Sequence, residues 1–286
     1  MQLLNPSFQF ALTGYPLGHS LSPLIHNAAL QACGLSGSYV LRPISPDEAA
    51  IGLQDLVQEL RDGELNGLNV TIPHKQAVFR LCDRLTPAAK AIGAANLLFC
   101  ENGRIWGDNS DAPGFMAALE PFENRWPSRS RRAAVLGAGG SARAVIYALA
   151  NAGWQVRVSA RRPEQAAQLV GDIAANLPAA VLTSTGLARG EFEDINTSDL
   201  IVNSTPLGMS PNLEGCPWPE DVPISPRPVF YDLVYNPRQT RLLERAAASG
   251  AATIGGITML VEQAAIAFQR WTGQPAPRQV MYAAVK

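Results

Sequence analysis

The segment Ala133 to Val145, AAVLGAGGSARAV, constrains the fold of this chain more than any other stretch. A short apolar run ends in glycines and continues into helix-forming residues, which predicts a strand, a tight turn and a helix. Gly137, Gly139 and Ala142 match the pattern G-x-G-x-x-(G/A). In that pattern the first position forms the turn, the second lets the backbone approach a pyrophosphate, and the third allows close helix packing. A phosphate would bind at the helix N-terminus, where unpaired N–H groups and the positive end of the helix dipole favour an anion.

The residues after this motif favour NADP as the dinucleotide. Trp154 to Ser159 is predicted to be a second strand one helix later, so the motif opens a βαβ unit. Where an acidic residue would bind the ribose 2′-hydroxyl of NAD, the chain has Ala160, Arg161 and Arg162. Two guanidiniums suit a 2′-phosphate. The alternative is a solvated basic turn with no ligand.

Length and composition predict a globular protein with two domains. A chain of 286 residues whose dinucleotide motif opens only near residue 133 has room for a complete domain before it. Hydrophobic residues make up 47% and charged residues 16% of the chain. The formal net charge of -1 gives no electrostatic reason to expect a nucleic-acid or membrane partner.

Cysteine and histidine usage indicates a cytoplasmic protein without a metal site. The four cysteines are widely spaced and form no C-x-x-C motif, so free thiols in a reducing compartment are expected; they are Cys33, Cys82, Cys100 and Cys216. The three histidines, His19, His26 and His74, have no metal-ligand spacing. The segment MQLLNPSFQF resembles no targeting signal, and no run reaches transmembrane length.

Strands and helices alternate in the first half, which predicts an α/β domain with a mostly parallel sheet. Predicted strands at Phe8 to Thr13, Ser38 to Pro43 and Gly67 to Thr71 are separated by helical segments. Ser20 and Ser22 lie between the first strand and the first helix, where hydroxyls and N–H groups can bind a carboxylate. The alternative is that Ser22 is only the cap of a helix opened by proline.

Lys75 is expected in the first turn of a helix that follows Pro73. A cation there faces the positive end of the helix dipole, which costs up to about 1 kcal/mol. Residues that break a local rule are enriched at functional sites. The alternative is an exposed lysine that tolerates a small penalty.

Three polar residues near the end of the first half are further candidates. Asn96 lies in an apolar predicted strand and needs a partner if buried, for which a ligand hydroxyl is one candidate. Asp108 and Asp111 flank a small polar segment, and Asp111 is placed to cap the next helix. Either aspartate can be only a turn or cap residue.

The second half continues the alternation after a polar approach at Pro127 to Arg132. Asn203 to Met209 follows a predicted strand as a Pro-Gly loop, a position at which open α/β sheets bind ligands. Tyr235 follows the strand Val229 to Val234, and Gly255 and Gly256 precede a long helix.

Seven motifs in this order resemble the shikimate dehydrogenase family. They are GYPLGHSLSPLIHN (Gly14 to Asn27), NVTIPHK (Asn69 to Lys75), IGAANL (Ile92 to Leu97), GDNSD (Gly107 to Asp111), GAGGSARA (Gly137 to Ala144), NSTPLGM (Asn203 to Met209) and MLVEQAAIAF (Met259 to Phe268). The resemblance implies NADP-dependent reduction of 3-dehydroshikimate to shikimate in aromatic amino-acid biosynthesis. It also implies a substrate domain over residues 1–111, a Rossmann-like NADP domain over 112–255, and C-terminal helices over 256–286 that return to the first domain.

The resemblance assigns a role to each matching residue. Lys75 and Asp111 correspond to the catalytic pair, with the choice of proton donor left open. Ser20, Ser22 and Tyr235 correspond to carboxylate binders, and Thr71, Asn96 and Gln263 to partners of the ring hydroxyls and reacting centre. Cofactor contacts are expected at Gly137, Ala138, Gly139, Gly140, Ser141, Ala142, Ala160, Arg161, Arg162, Thr205 and Gly256.

Small departures from the family pattern affect specificity. Leu97 and Ser110 stand where the family often has threonine, and Ala160 stands where asparagine is usual. Relatives that use quinate tend to carry threonine at the position of Ser22, so serine favours shikimate. Two alternatives stay open: a quinate or shikimate dehydrogenase of broader specificity, and a non-catalytic NADP-binding sensor. The chain is expected to be a monomer or homodimer.

Overall fold

The computed structural model describes residues 7–126 and 131–286, and it divides into two compact units. The first unit runs to Asp111 and resumes from Val261 to Lys286; the second is Ala112–Leu260. Both units are α/β, as the sequence predicts. Residues 127–130 of the expected polar approach, and the first six residues of the chain, lie outside the described part.

The first unit contains a mixed, mostly parallel sheet. Its strands are β1 (Phe8–Gly14), β2 (Gly37–Pro43), β3 (Gly67–Val70), β4 (Arg84–Leu85), β5 (Leu97–Glu101) and β6 (Arg104–Asp108), in the spatial order β2-β1-β3-β5-β6-β4. The helices between them are α1 (Ser22–Ala32), α2 (Ala49–Asp62), α3 (Lys75–Phe79) and α4 (Pro87–Ile92). β1 pairs parallel with both β2 and β3, whereas β5 forms antiparallel pairs with β3 and with β6.

The core of the first unit forms where helices cover this sheet. α2 buries Leu53, Leu56 and Leu60 at helical spacing and ends at Gly63, whose φ of 79° suits the left-handed conformation of a C-terminal glycine. A capping box precedes α2: the Glu48 carboxylate accepts hydrogen bonds from the Ser45 N–H (3.3 Å) and hydroxyl (2.7 Å).

The C-terminal part of the chain completes the first unit. Trp271 lies against Gly67, where an added Cβ would come within 2.3 Å of the indole, and its Nε1 donates to the Leu98 carbonyl at 3.1 Å. The same indole stacks on Phe10, with ring centroids 4.7 Å apart. Glycine at position 67 therefore lets the tryptophan pack directly on the strand backbone.

The second unit is a fully parallel, doubly wound sheet. Its strands are β7 (Arg132–Leu136), β8 (Gln155–Ala160), β9 (Leu182–Gly186), β10 (Leu200–Asn203), β11 (Val229–Asp232) and β12 (Ala252–Ile254), in the order β12-β11-β10-β7-β8-β9. The remaining helices of the chain are α5 (Asp111–Leu119), α6 (Gly140–Asn151), α7 (Pro163–Ala174), α8 (Glu191–Ile195), α9 (Arg241–Ala248), α10 (Ile257–Thr272) and α11 (Arg278–Ala283). Counted from β7, this is the 3-2-1-4-5-6 order of dinucleotide-binding sheets. The order reverses between β7 and β10, which is where such sheets bind ligands.

Small side chains let α6 pack closely on the second sheet. Ala142, Ala144 and Ala148 are buried on this helix, and β7 is buried from Ala133 to Leu136. The strand–turn–helix predicted for residues 133–145 is therefore present, with β7 ending at Leu136 and α6 beginning at Gly140.

Two expected caps are wrong, because Asp111 is the first residue of α5 and Ser22 is the first residue of α1. Ser22 is not the cap of α1, because it is the first residue of the helix, and Leu21 occupies the N-cap without a side-chain hydrogen bond. Pro23 is therefore the second residue of the helix, a position that proline tolerates because the N–H groups of the first turn have no intrahelical partner. The Ser22 hydroxyl is consequently not used for capping.

Other features concern the chain as far as it is described. All four cysteines are free thiols. Over residues 7–126 and 131–286, no cluster of three or more His, Cys, Asp or Glu side chains could hold a metal ion. No helix in these ranges has the length and apolar character needed to cross a bilayer.

Candidate active site

Lys75 lies at the carboxyl edge of the first sheet, in a buried position. β3 ends at Val70, and α3 begins at Lys75 after a turn in which His74 N–H donates to the Thr71 carbonyl at 2.9 Å. The residue is only 9% exposed. The interpretation of Lys75 as an exposed lysine is therefore wrong.

Lys75 pairs with Asp111, which the chain brings to the same edge from the end of β6. The Lys75 Nζ lies 2.5 Å from Asp111 Oδ2, and Asp111 is 5% exposed. A buried ion pair contributes little net stability, because desolvation offsets the attraction between the charges. Its presence here favours a chemical role over a structural one.

Two asparagines fix the Asp111 carboxylate and backbone. Asn96 Nδ2 donates to Asp111 Oδ1 at 2.8 Å, and Asn96 Oδ1 accepts from the Ser110 N–H at 2.8 Å. Asn109 Oδ1 accepts from the Asp111 N–H at 3.1 Å. Asn96 is 2% exposed and lies one residue before β5. Its partners are protein groups, so the structure provides the partner that a buried asparagine requires.

A buried polar chain extends from this pair toward the first loop. Asn69 Nδ2 donates to the Asn96 carbonyl at 3.0 Å, and the Tyr39 hydroxyl donates to Asn69 Oδ1 at 2.9 Å. Burial raises the pKa of the Tyr39 phenol, and the nearby Ser22 side chain opposes the shift, so the hydroxyl keeps its proton.

Four further candidates of the first unit lie near these groups. Ser22 is 6% exposed, and its N–H donates to Ser20 Oγ at 3.3 Å. Thr71 follows β3 directly, and its methyl group packs against Gly14. A Cβ added at Gly14 would lie 2.3 Å from that methyl carbon. Gln263 Oε1 lies 3.5 Å from Ser110 Oγ. Of these four, Gln263 is connected most directly to the ion pair, because Ser110 also hydrogen-bonds to Asn96, the partner of Asp111.

The glycine turn of the second unit leaves the N-terminus of α6 open. Gly137 has a φ of 111°, and an added Cβ would lie 2.7 Å from Ser204 Oγ. Gly139 is the N-cap of α6 with no side-chain cap, and an added Cβ there would meet no described atom within 4 Å. Ala138, Gly140 and Ser141 are half-buried beside it, and Ala142 is fully buried. The helix thus presents free N–H groups to an open space, as an anion site requires.

The basic residues after β8 are exposed and unpaired. Ala160 is the last residue of β8 and is 5% exposed, whereas Arg161 and Arg162 are fully on the surface before α7. Within the described residues neither guanidinium has a hydrogen bond or an ion pair. Both charges are available for an anionic ligand.

Three candidates follow neighbouring strands of the second sheet. Thr205 N–H and Oγ1 both donate to Asn203 Oδ1, at 2.9 and 2.7 Å. Gly256 lies so close to β11 that an added Cβ would be 2.2 Å from the Leu233 carbonyl oxygen. Tyr235 is half-buried after β11, and burial raises the pKa of its phenol.

Several buried polar residues escaped the sequence analysis as separate candidates. Asn69 and Asn109 hold the first-unit site, and Asn203, Asp232 and Thr240 form a second network in the other unit. Asn69 was detectable, because it is a polar residue inside a four-residue strand that is buried throughout. Asp108 is half-buried and accepts hydrogen bonds from the Thr86 hydroxyl (2.6 Å) and the Asn109 N–H (2.7 Å), which is a turn role.

The fold and the site define a class before any comparison. The second unit has the strand order and open glycine turn of dinucleotide-binding proteins, and the first unit buries a Lys–Asp pair among hydrogen-bonding side chains. Together they describe a dinucleotide-dependent α/β enzyme, because positioned acid–base groups are what such cofactors need from the protein.

Comparison with known proteins gives the particular family. Residues 12–98 match the profile of the shikimate dehydrogenase substrate binding domain, and residues 256–286 that of the shikimate 5′-dehydrogenase C-terminal domain. The shikimate dehydrogenase (NADP+) of Salinibacter ruber is 44% identical over 280 residues, covering 96% of this chain and 95% of that protein. This chain belongs to the shikimate dehydrogenase family.

Solved structures agree with this assignment. The shikimate 5-dehydrogenase of Thermus thermophilus, in complex with NADP(H) and shikimate, has a TM-score of 0.84 at 35% identity, covering 97% of this chain and 98% of that one. The quinate dehydrogenase of Corynebacterium glutamicum, in complex with NAD, has a TM-score of 0.88 at 30% identity, with the same coverage.

Proposed function

We propose that this protein is an NADP-dependent shikimate dehydrogenase that reversibly reduces 3-dehydroshikimate to shikimate. The observation that carries the proposal is the buried contact between Lys75 Nζ and Asp111 Oδ2, in a chain 44% identical to a shikimate dehydrogenase (NADP+). The reaction belongs to aromatic amino-acid biosynthesis.

Reduction of the ketone requires a hydride on carbon and a proton on oxygen. A bound NADPH would supply the hydride, and the glycine turn of the second unit would hold it. Lys75 and Asp111 hold the proton that the developing alkoxide takes, because both are buried and share one hydrogen bond. Asn96 keeps the carboxylate oriented, so that the pair is ready before the substrate binds. In the oxidation of shikimate, the same pair accepts the hydroxyl proton.

The substrate carboxylate and hydroxyls are bound by neutral donors and acceptors. The family resemblance assigns the carboxylate to Ser20, Ser22 and Tyr235, of which Ser22 is buried and Tyr235 half-buried. The resemblance assigns the ring hydroxyls to Thr71, Asn96 and Gln263. Because the Asn96 amide already bonds to Ser110 and Asp111, we expect it to act mainly through the Asp111 carboxylate. Serine at position 22 favours shikimate, because relatives that use quinate tend to carry threonine there.

The residues of the second unit fit NADP. The pyrophosphate binds the turn Gly137 to Ala142, because an added Cβ at Gly139 meets no described atom and the α6 N–H groups lack a side-chain cap. Arg161 and Arg162 bind the 2′-phosphate beside Ala160, since both guanidiniums are exposed and unpaired in the described structure. Thr205 and Gly256 complete the cofactor site.

The parts of the chain divide these tasks. Residues 1–111 bind substrate and supply the acid–base pair, residues 112–255 bind NADP, and the helices of 256–286 pack on the substrate domain. We expect a monomer or homodimer in the cytoplasm, without nucleic-acid or membrane partners. Support comes from the net charge of -1 and from four free thiols, which suit a reducing compartment. Sedimentation of the purified chain tests the oligomeric state.

A spectrophotometric assay tests the function. Purified protein is mixed with shikimate and either NADP+ or NAD+, and formation of reduced nicotinamide is followed by absorbance. We expect turnover with both cofactors and a preference for NADP+, because Arg161 and Arg162 can bind its 2′-phosphate. The double variant R161A/R162A should lose that preference while keeping turnover. No reduction with any family substrate would reject the proposal and favour a non-catalytic NADP sensor.

A broader quinate and shikimate dehydrogenase is the second candidate. It is favoured by the likeness to the Corynebacterium glutamicum quinate dehydrogenase, with a TM-score of 0.88. Parallel kcat/KM measurements on shikimate and quinate separate the two. A ratio near one would favour the broader enzyme, whereas the variant S22T should raise relative turnover of quinate if Ser22 sets the preference.

A further inference from the structure

Asp232 is a fully buried carboxylate to which the proposed mechanism assigns no role. It ends β11 with 0% exposure. Its Oδ1 accepts hydrogen bonds from Asn203 Nδ2 at 2.9 Å and from the Val234 N–H at 3.0 Å, and its Oδ2 accepts from the Thr240 hydroxyl at 2.7 Å. All three donors are neutral, and within the described residues no cation pairs with it.

Burial of the Asp232 carboxylate destabilises the fold. Burial raises the pKa of Asp232 to about 6, although all three hydrogen bonds oppose the shift. An apolar residue of similar size would avoid this desolvation. The carboxylate therefore needs a reason other than stability, and its hydrogen-bond geometry supplies one.

On one side Asp232 sets the orientation of the Asn203 amide. An ionised carboxylate only accepts hydrogen bonds, so it fixes the NH₂ end of Asn203 toward itself and turns the Asn203 oxygen the other way. That oxygen accepts from both the N–H and the hydroxyl of Thr205. The Thr205 oxygen in turn lies 3.3 Å from the Leu207 N–H that donates to it. Asp232 thus holds residues 203–207, the loop at the point where the strand order reverses.

On the other side Asp232 holds both ends of the segment that contains Tyr235. Val234, immediately before the tyrosine, donates its N–H to Oδ1. Thr240, after the segment, donates its hydroxyl to Oδ2 and accepts from the Leu243 N–H as the N-cap of α9. Because a hydroxyl has one proton, its donation to Asp232 leaves its lone pairs for the cap.

We propose that Asp232 is a positioning residue that fixes both the cofactor-contacting loop 203–207 and the substrate-contacting segment 234–240. This inference rests on the proposed function, which gives Thr205 and Tyr235 their ligands. A single carboxylate with two acceptor oxygens ties the two segments to one strand end, so a change at residue 232 reaches both ligands without touching either.

The test uses an apolar variant, a conservative variant and a matched control. Asp232→Leu removes both acceptors. Asp232→Asn keeps Oδ1 for Asn203 and Val234 and turns its NH₂ toward the Thr240 oxygen. Asp199→Leu is the control, because Asp199 is also buried, at 9% exposure, and precedes β10 at the opposite end of the same sheet. It accepts from the Arg132 N–H and from Arg227.

The readouts are the NADP+ dissociation constant by calorimetry, the KM for shikimate, kcat and the melting temperature. We expect Asp232→Leu to raise both the NADP+ dissociation constant and the shikimate KM by about tenfold or more. Asp232→Asn and Asp199→Leu should stay within about threefold of wild type. Wild-type values in Asp232→Leu, an equal loss in Asp199→Leu, or an Asn variant as defective as the Leu variant would each overturn the proposal.

If Asp232→Leu does not fold, the variant Thr240→Val tests the proposal instead. It removes one donor and keeps the carboxylate, and the shikimate KM should rise by about threefold or more relative to Asp199→Leu. An unchanged KM would overturn the proposal. Should wild type reduce NADP+ with no family substrate, the proposed function fails separately, and the NADP+ dissociation constants still test the effect of Asp232 on loop 203–207.

Discussion

The two strand edges that carry the candidate site present different chemistry. In the first unit, the edge ends in charged and amide side chains, with Lys75 and Asp111 in contact and Asn96 holding the carboxylate. In the second unit, the edge next to β7 presents backbone N–H groups at a glycine turn, where an added Cβ at Gly139 meets no described atom. The first edge thus presents buried charged side chains, whereas the second presents an uncapped helix N-terminus at a glycine turn.

Both edges nevertheless share one local device. In each unit, a threonine caps a helix and donates its hydroxyl to an aspartate that ends a strand: Thr86 to Asp108 at 2.6 Å, and Thr240 to Asp232 at 2.7 Å. Asp108 is half-buried, whereas Asp232 is fully buried and reaches Asn203 on the neighbouring strand. In the second unit the same cap arrangement also links two loops, because the buried Asp232 bonds to Asn203 as well as to Thr240.

Removing the charged pair should have the largest effect on activity. Lys75→Ala should lower kcat by about 100- to 10,000-fold, the range for positioned proton transfer, and leave the NADPH dissociation constant unchanged. Steady-state kinetics and calorimetry measure the two quantities. Lys90→Ala is the control, because Lys90 is exposed on α4 of the same unit. If Lys75→Ala lost NADPH binding as well as turnover, the proposed difference in role between the two sheet edges would be wrong.

The buried imidazole of the first unit should make the fold sensitive to acid. His26 is 0% exposed, stacks on Tyr39 with ring centroids 4.2 Å apart, and neither ring nitrogen has a hydrogen-bond partner in the described structure. Burial lowers its pKa to about 3, so only the unfolded chain takes up the proton near pH 6. Its contribution is present above pH 6.5 and is lost as the pH falls, by about 2 kcal/mol between pH 7 and pH 5.

Urea unfolding at several pH values measures this effect. His26→Phe keeps an aromatic ring against Tyr39 and removes the titration, so its unfolding free energy should fall about 2 kcal/mol less than that of wild type. Parallel pH curves for the two proteins would show that the imidazole titrates alike in both states.

The proposed anion site of the second unit should depend on the absence of a side chain at residue 139. Gly139→Ala should weaken NADP+ binding by roughly tenfold, about 1.4 kcal/mol, because the new Cβ enters the space at the α6 N-terminus. The melting temperature should change little, since the glycine has a φ of -87°. Gly171→Ala, in α7 with nothing within 4 Å of the new Cβ, is the control. Unaltered affinity in Gly139→Ala would place the phosphate elsewhere.

The smallest expected effect is the pH dependence that Asp232 gives to the unfolding free energy. Its sign is opposite to that of the His26 effect. The pKa of Asp232 is raised to about 6 in the fold, so the folded state holds the proton more tightly than the unfolded chain. The contribution is present below about pH 4 and is lost as the pH rises through 6, by about 1 kcal/mol between pH 5 and pH 7.5. Relative to Asp232→Asn, wild type should lose this much stability over that interval. A gain over the same interval would contradict the buried, cation-free environment.

Local sequence determined the elements and much of their order. The apolar run and glycines of residues 133–145 predicted β7, the turn and α6, because hydrophobic periodicity and glycine placement are properties of short segments. The pair Thr86-Pro87, a capping residue followed by proline, is likewise a local signal for the start of α4, which begins at Pro87. The capping role predicted for Ser22 was wrong, because α1 begins one residue earlier than the Ser-Pro pair indicates, and proline is tolerated at either of the first two helical positions.

Only the tertiary structure decided which polar side chains meet. Lys75 and Asp111 are 36 residues apart, and their 2.5 Å contact exists because β3 and β6, which lie on either side of the antiparallel β5, end at the same sheet edge. Asn203 and Asp232 meet because the neighbouring parallel strands β10 and β11 end side by side. The sequence identified Lys75 as a residue that breaks a helix rule but could not reveal its burial. Burial depends on how distant segments pack, and the pKa values of His26 and Asp232 depend on burial. The sequence by itself thus determined the elements and the family resemblance, and the fold determined the electrostatics of the site.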